Sequence, residues 1–561
     1  MFYSAFEDLV NVPRRLLRPV LAMLSMLSCF TLFGQNPAPP PLPALAPQVV
    51  PARIGIVGEQ KLTLPEAISK VLANDRDLVV YRIATEEAVL NLAGAKGYYD
   101  PVFNLSAYRV KTVTPVASLL GGAANGKVTT KQLYADPELA GEFPWLGGSY
   151  RFHFASSRQS TDSTFNTLNP QFPSAVTLNL TQPLWRGLRF DQNRYRIQVA
   201  RSNIQLTDQQ LRQRVIEVVT QAIEAYWELD FAYRNLSVQI EAVRLAEQQD
   251  QSNRRQVEQG ILAPVDVIQT QTQVATFQQN VFTAQETLTR AENGLKALLL
   301  PSRADPTWSM GLIPVTPING RPTVPDLSII VKEALVNRPE LAESRVSLDQ
   351  NRLATRLNEE QARPQINAFA TLSAQGLSGR PVAVVPNPIL AQFGLGNGVL
   401  PAIFPGGYSQ SLNNLVTGQF PSAQIGVQMS IPIRNRTALA QVAVGLAEQR
   451  RLTTQQQAIE IAIEADIRNS LQGLSTAGAR LDSAESARKF AEEQYSSEQR
   501  QFQAGTSSVF LVLQRQTELI SARSREIRAS ADVGRAAADV DRASARTLQA
   551  NNIQLRNSRK P

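Results

Sequence analysis

The chain has 561 residues, 43% of them hydrophobic, and a formal charge of +8 with no dense Lys/Arg block. That thin excess, without a zinc-finger or helix-turn-helix signature, argues against a nucleic-acid partner. One cysteine, Cys29, and one histidine, His153, leave no intramolecular disulfide, no histidine-pair or thiolate metal site and little basis for imidazole catalysis, so the composition reads as a non-enzyme without a cofactor.

Residues 1–34 read as a signal peptide. Arg14, Arg15 and Arg18 form its basic region, and the arginine pair hints at twin-arginine export. Pro19 to Phe33 is an apolar run too short for an ordinary membrane helix, and Gly34 is the candidate end of the cleaved part. Cys29 lies in that run, either as a lipidation site or as a small residue that is cut away, which would leave the mature chain without cysteine. Residues 35–60 form a proline-rich N-terminal tether, carried by "PAPPPLPALAPQVVPA" at 37–52.

From Leu64 to about Tyr98 the chain reads as helix, stopped by Asp100-Pro101 because proline disfavours helix in the residue before it. The unit returns 263 residues later without gaps: Leu72 matches Leu335, Asn74 matches Asn337, Leu78 matches Leu341 and Pro101 matches Pro364. The chain is therefore read as two diverged copies, 61–300 and 326–550. A loop-like linker or equatorial segment, 301–325, joins them, and a C-terminal tail, 551–561, follows.

After each first helix the period changes to two, with strands expected within 102–185 and within 365–433. In "SAQIGVQMSIPI", Ala423, Ile425, Val427, Met429, Ile431 and Ile433 point one way and Gln424, Gly426, Gln428 and Ser430 the other. Tyr150, Phe152 and Phe154 share one face of "SYRFHFAS", and "AVTLNL" and "INAFATLSAQ" alternate too. Polar or Gly/Pro-rich loops are expected at 156–174 and 376–421. Alternation of this kind suits a half-buried sheet, and equally a wall with lipid outside and water inside.

Each copy then runs into long helices, expected at 191–259 and 264–299 and again at 436–504 and 508–548. The first lacks Pro and Gly and is on the order of 100 Å long at ~1.5 Å per residue. Leu211, Val215, Val218, Ala222, Ala225, Leu229, Ala232 and Leu236 mark a coiled-coil seam, with Val219, Ile223 and Tyr226 beside it. Two adjacent seams let a helix touch a neighbour on each side, as a barrel stave does. In the second copy Leu513, Ile520 and Ile527 form one row, and Val512, Leu519, Val533 and Val540 another, broken by Glu526.

Between the helices of each pair the chain repeats itself at a shift of 245. Gly260 matches Gly505, Val267 matches Val512, and Gln269, Gln271 and Thr272 match Gln514, Gln516 and Thr517. The glycine supplies a left-handed helix end, and Pro264 or Ser508 opens the next helix. The pattern is a helical hairpin, twice per chain, far from the strands.

Tandem repetition, strand pairs and very long helices together resemble the TolC-like outer-membrane efflux protein family, also called outer membrane factors. The carrying stretches are "LTLPEAI", "LNLTQPLWRG" with its counterpart "MSIPIRNR", and the two glycine hairpins. The resemblance implies a mostly α protein with β: a trimeric channel whose outer-membrane β-barrel continues as a long periplasmic α-helical coiled-coil barrel. Each of three copies would give four strands to a shared barrel of twelve. Between Asn104 and Leu184 there is more strand-like sequence than one hairpin needs, including "KQLYADPELA", so an extra hairpin or an elaborated loop is expected there.

The resemblance also implies partners and a site. The partners are a homotrimer, a periplasmic adaptor (membrane fusion) protein, an inner-membrane pump of RND, ABC or MFS type, and outer-membrane lipid. The adaptor-docking tip would be Gln259, Gly260, Ile261 and Leu262 with Ala504, Gly505, Thr506 and Ser507. The family's acidic constriction positions fall at Leu511 and Gln514, and its basic latch at Ser507. Only Asp266 keeps a carboxylate there, and it equally suits a helix start. A narrow constriction at Asp266, Leu511 and Gln514 without an aspartate ring is expected. The implied function is a passive exit duct for efflux or one-step (type I) secretion. The alternative is an envelope coiled-coil structural protein without a channel.

Overall fold

The structure, a computed structural model, describes residues 52–117, 123, 125–317, 323–382 and 400–555. The expected signal peptide, most of the tether, part of the 376–421 stretch and the end of the tail lie outside these residues.

Strand β1 (Gly58–Leu62) leads into helix α1 (Leu64–Asn74). Thr63 Oγ1 accepts the Glu66 N–H at 3.4 Å and Glu66 returns to the Thr63 N–H at 3.0 Å, so both ends of the first turn are satisfied. The sequence suggested one helix to Tyr98. Instead the chain breaks at Asp75, whose carboxylate accepts the Leu78 N–H at 2.9 Å and starts α2 (Arg76–Lys96). The second copy breaks at the equivalent place, between α5 (Leu327–Asn337) and α6 (Pro339–Ala362), where Pro339 has no N–H to continue the ladder.

Four strands follow α2: β2 (Val102–Pro115), β3 (Lys127–Glu142), β4 (Ser149–Thr161) and β5 (Leu168–Pro183). Helix α3 (Gln192–Glu258) and helix α4 (Pro264–Leu299) form the first long pair. Its 67 residues make α3 about 100 Å long. The linker expected to be loop holds a strand, β6 (Met310–Pro314), paired in parallel with β1. Tyr226 of α3 pins this small sheet: its hydroxyl donates to the Leu62 carbonyl at 3.0 Å and accepts the Val315 and Thr316 N–H groups at 3.2 and 3.0 Å.

In the second copy α6 leads to β7 (Gln365–Pro381), helix α7 (Tyr408–Val416) and β8 (Phe420–Ser430), then to α8 (Arg436–Gln503) and α9 (Val509–Ala543). Two further loop expectations are corrected. Strands β4, β5 and β7 run well into 156–174 and 376–421, and α7 occupies part of the latter, because the residues there still pair along neighbouring strands. The last long helix also stops short of 548. Ala545 adopts φ 59°, and the Arg546 N–H turns back to the Asp541 carbonyl at 2.8 Å, before the short α10 (Thr547–Ala550).

The helices pack along the expected seam. Val215, Val218, Ala222, Leu229 and Ala232 are buried, as are Val219, Ile223 and Tyr226 beside them. Gly534 of α9 meets α3 so closely that an added Cβ would sit 2.6 Å from the Trp227 ring.

Candidate functional site

Among the described residues the large sheet has six strands in the order β2-β3-β4-β5-β7-β8, every neighbour antiparallel. The four strands that the resemblance implied are thus exceeded by two. The first copy supplies two hairpins because "KQLYADPELA" pairs over its length with β2 and, on either side of Asp136-Pro137, with β4.

Cross-strand partners share a face, so the register sorts the side chains. One face carries Phe103 and Leu105, Leu133 and Leu139, Phe152 and Phe154, Val176 and Leu178, Ala370 and Leu372, then Ile425 and Val427. The other carries Asn104, Glu138, His153, Thr177, Ser373 and Ser422 at successive partners, with Asn179, Thr371 and Gln424 beside them. Toward the helical end this face is uncovered, Phe103 being 64% and Ile425 80% exposed, while at its far end α7 lies across it, with Ser411 against Ser174 at 2.6 Å and Tyr408 bonded to Ser156 at 2.8 Å. A continuous apolar face of this size opposite a polar one fits contact with a membrane interior or another apolar surface.

The second candidate surface is the pair of helix links. The two are built alike, residue for residue at the shift of 245. Gly260 and Gly505 have φ +75° and +76°, with open space around the missing Cβ, so backbone conformation rather than room requires glycine. The Ile261 N–H reaches the Gln256 carbonyl at 2.8 Å, and the Thr506 N–H reaches Gln501 at 2.9 Å, the helix-ending bond of a Schellman motif. Gln259 and Ala504 are the C-cap residues, between the last helical position and each glycine. Ile261 is 67% exposed and Phe510 63%, with Val265 and Ile268 also open, while Leu262 is half-buried. The first link and the opening turns of α4 and α9 therefore present apolar side chains to the outside, whereas Thr506, Ser507 and Ser508 make the second link itself polar.

Polar contacts hold each link in shape. In the first, Thr270 Oγ1 donates to Asp250 at 2.8 Å, and Asp250 pairs with Arg254 at 2.8 Å. Asp266 accepts the Ala263 N–H at 3.2 Å, so its carboxylate closes the first turn of α4. In the second, Ser507 donates to Glu498 and Ser508 caps α9 through the Leu511 N–H.

Above the links, α4 and α9 enclose a groove. Gln514 lines it together with Ile268, Gln269, Gln273, Leu513 and Thr517, and Gln273 donates to Thr517 at 3.2 Å. Asp266 and Leu511 lie one turn nearer the links, outside that lining. Sequence reasoning passed over Gln269 as a site residue, although the shift that equates Gly260 with Gly505 also equates Gln269 with Gln514.

Among the described residues no cluster of three His, Cys, Asp or Glu side chains is placed to hold a metal ion. None of the helices there is long and apolar enough to cross a membrane.

The chain matches the family described as outer membrane efflux protein over residues 123–299 and 330–546. Three solved structures share its fold. The outer-membrane channel OprN is 13% identical with a TM-score of 0.59, over 86% of this chain and 89% of that one. The Campylobacter jejuni CmeC outer membrane channel is 16% identical with a TM-score of 0.59, over 88% and 90%. CusC, a protein whose conformational changes accompany folding and transmembrane channel formation, is 15% identical with a TM-score of 0.60, over 89% and 99%. No curated protein matches the chain.

Proposed function

The chain belongs to the outer membrane efflux protein family, and on that premise we propose that it is the passive outer-membrane exit duct of a tripartite efflux pump or a type I secretion system. Three copies assemble. Their sheets join into a barrel in the outer membrane, and their long helices continue it into the periplasm. An adaptor docks on the links around Gln259–Leu262 and Ala504–Ser507, and an inner-membrane pump supplies drive and substrate choice. The duct narrows near the links, at Asp266, Leu511 and Gln514.

The observation that supports this reading most directly is the two-faced sheet. Its apolar side chains stand exposed on one face while polar ones occupy the other. Lipid on the first side and water on the second satisfy both, provided that no strand edge is left open. An envelope scaffold without a channel accounts for the helices but leaves that apolar face without an occupant.

The test is the mass of the full-length protein extracted by detergent from the outer-membrane fraction, corrected for bound detergent. Three chain masses are expected. A monomer, or release by salt without detergent, overturns the duct.

A further inference from the structure

We propose that three copies close a barrel of eighteen strands, with β8 of each copy pairing antiparallel to β2 of the next. This rests on the trimeric duct argued above and goes beyond it in the architecture of the wall.

The additional hairpin is wall rather than loop. Strands β2 and β3 are hydrogen-bonded from Val102↔Ala140 to Pro115↔Lys127 without a register shift. They have 14 and 16 residues, and a tilted strand of about 9–11 residues already crosses the hydrocarbon layer. Over the half nearer the helices their side chains keep the sorting of the other four strands: Phe103, Leu105, Ala107, Ala135 and Leu139 continue the apolar face, and Asn104, Ser106, Asp136 and Glu138 the polar one. Farther out Arg109, Lys111 and Lys131 stand on the same side as Leu105, so the apolar band ends there and the tip of the hairpin extends beyond the lipid. A loop folded over the barrel mouth has no reason to carry a lipid-facing band in register with its neighbours.

The edges specify the partner. Within one copy the outermost strands are β2 and β8. Strand β2 leaves the helical end of the molecule and β8 returns to it, so β8 of one copy meets β2 of the next in antiparallel fashion. The register carries Val102 across the sheet through Ala140, Arg151, Asn179 and Thr371 to Gln424, which puts the two edges at overlapping heights. Lipid tolerates no unpaired edge, and closure with the apolar face outward leaves one orientation.

The arc lengths agree. Four helices of each copy join the sheet: α2, α3, α6 and α8. At ~10 Å between axes they take an arc of about 40 Å. Six strands at ~4.8 Å spacing and ~40° tilt take about 38 Å, whereas four take about 25 Å. The connection from α6 to β7 is only Arg363-Pro364, too short for a large change of radius. Three copies then enclose a backbone cylinder of roughly 36 Å diameter, against roughly 24 Å for twelve strands at the same tilt.

Paired cysteines test the seam. Asn104→Cys or Ser106→Cys is combined with Ser422→Cys, Gln424→Cys or Gln428→Cys, all on the polar face, and compared with the parent chain, whose one cysteine is Cys29. Inside a single copy the two edges lie five strand spacings apart, about 24 Å, so any link between them joins two copies. One register is expected to give an oxidised ladder that ends at three chains. Leu105→Cys with Gln428→Cys, on opposite faces, is expected to give none. A map of the detergent-extracted particle should show eighteen strand sections. Twelve sections, or no link at any register in a particle of three chains, overturns the eighteen-strand wall and leaves the duct standing. A ladder ending at two chains, or a particle of another mass, overturns the trimer itself.

Discussion

Gly260 and Gly505 act through φ. An L-residue in the left-handed region costs about 1–2 kcal/mol, and asparagine tolerates it better than most. Gly505→Val is therefore expected to speed hydrogen exchange at the Thr506 amide, which bonds the Gln501 carbonyl, and Gly505→Asn to restore most of the protection. A different residue-scale device ties the linker to α4. Glu292 and Lys296 are wholly buried and pair at 2.6 Å, Arg53 reaches Glu292 at 2.5 Å, and Lys296 donates to the Trp308 carbonyl at 3.0 Å. Lys296→Met unbalances this group and is expected to cost about 3–5 kcal/mol, read as a lower unfolding midpoint, with part regained in the Glu292→Gln/Lys296→Met double variant. Asp466 gives a pH signature. Burial alone would raise its pKa, but the guanidinium groups of Arg542 and Arg338 outweigh burial and hold it below the ordinary aspartate value. A lowered folded-state pKa means that the unfolded chain binds the proton first, so the stabilisation is complete above about pH 4 and fades as pH falls through the folded value. The stability gap between the parent and Asp466→Asn should shrink below about pH 4, and a constant gap refutes the ion-pair account. The glycines were legible in the sequence because a left-handed helix end leaves a single-residue mark at a repeated distance. The Glu292–Lys296–Arg53 group was not, because Arg53 lies 239 residues from Glu292 in the chain and only packing brings the two segments together.

Elements were legible to the extent that a local period encodes them. The absence of Pro and Gly from Asp191 to Gln259 and the alternate spacing of apolar residues locate α3, since both follow from the helical repeat. Breaks inside a helical pattern were harder. Asp75 ends one helix and caps the next without glycine or proline at the site, so nothing local separates it from a surface aspartate. Strand ends were also missed: the stretches 156–174 and 376–421 are polar or rich in Gly and Pro, and the parts of them that lie in β4, β5 and β7 are extended because of partners up to about two hundred residues away in the chain, as Ser174 pairs with Gly376. The sorting of faces is directly testable at this scale. Leu178 stands in the middle of the apolar face, between Phe152 and Leu372, and Asn179 next to it points the other way. If lipid covers the apolar face, Leu178→Arg should cost about 2–4 kcal/mol near the bilayer centre and reduce the amount of assembled protein in the outer-membrane fraction. Asn179→Arg should assemble as the parent does. Equal effects of the two variants would show that the faces are not divided between lipid and water.

At the scale of the duct proposed above, the sheet and the helix links stand apart by about the length of α3, on the order of 100 Å, so the proposed wall and the proposed constriction can differ independently. The wall is wide if eighteen strands close it, and selection then falls to the narrow end. There the equivalent positions Asp266 and Leu511 make one level and Gln269 and Gln514 the next. The only carboxylate of the four is spent on the Ala263 N–H, and the Gln269/Gln514 level is neutral. A ring of neutral amides holds no fixed field to separate cations from anions, so the parent channel is expected to discriminate weakly between them in planar bilayers. Gln514→Asp places one carboxylate per copy in the groove between α4 and α9, three in a trimer. The cation-to-anion permeability ratio should rise several-fold at low salt and fall back toward the parent value near 1 M salt, where the screening length is only about 3 Å. An unchanged ratio in a variant that still assembles would place Gln514 away from the conduction path and move the constriction toward the links, to the level of Leu511.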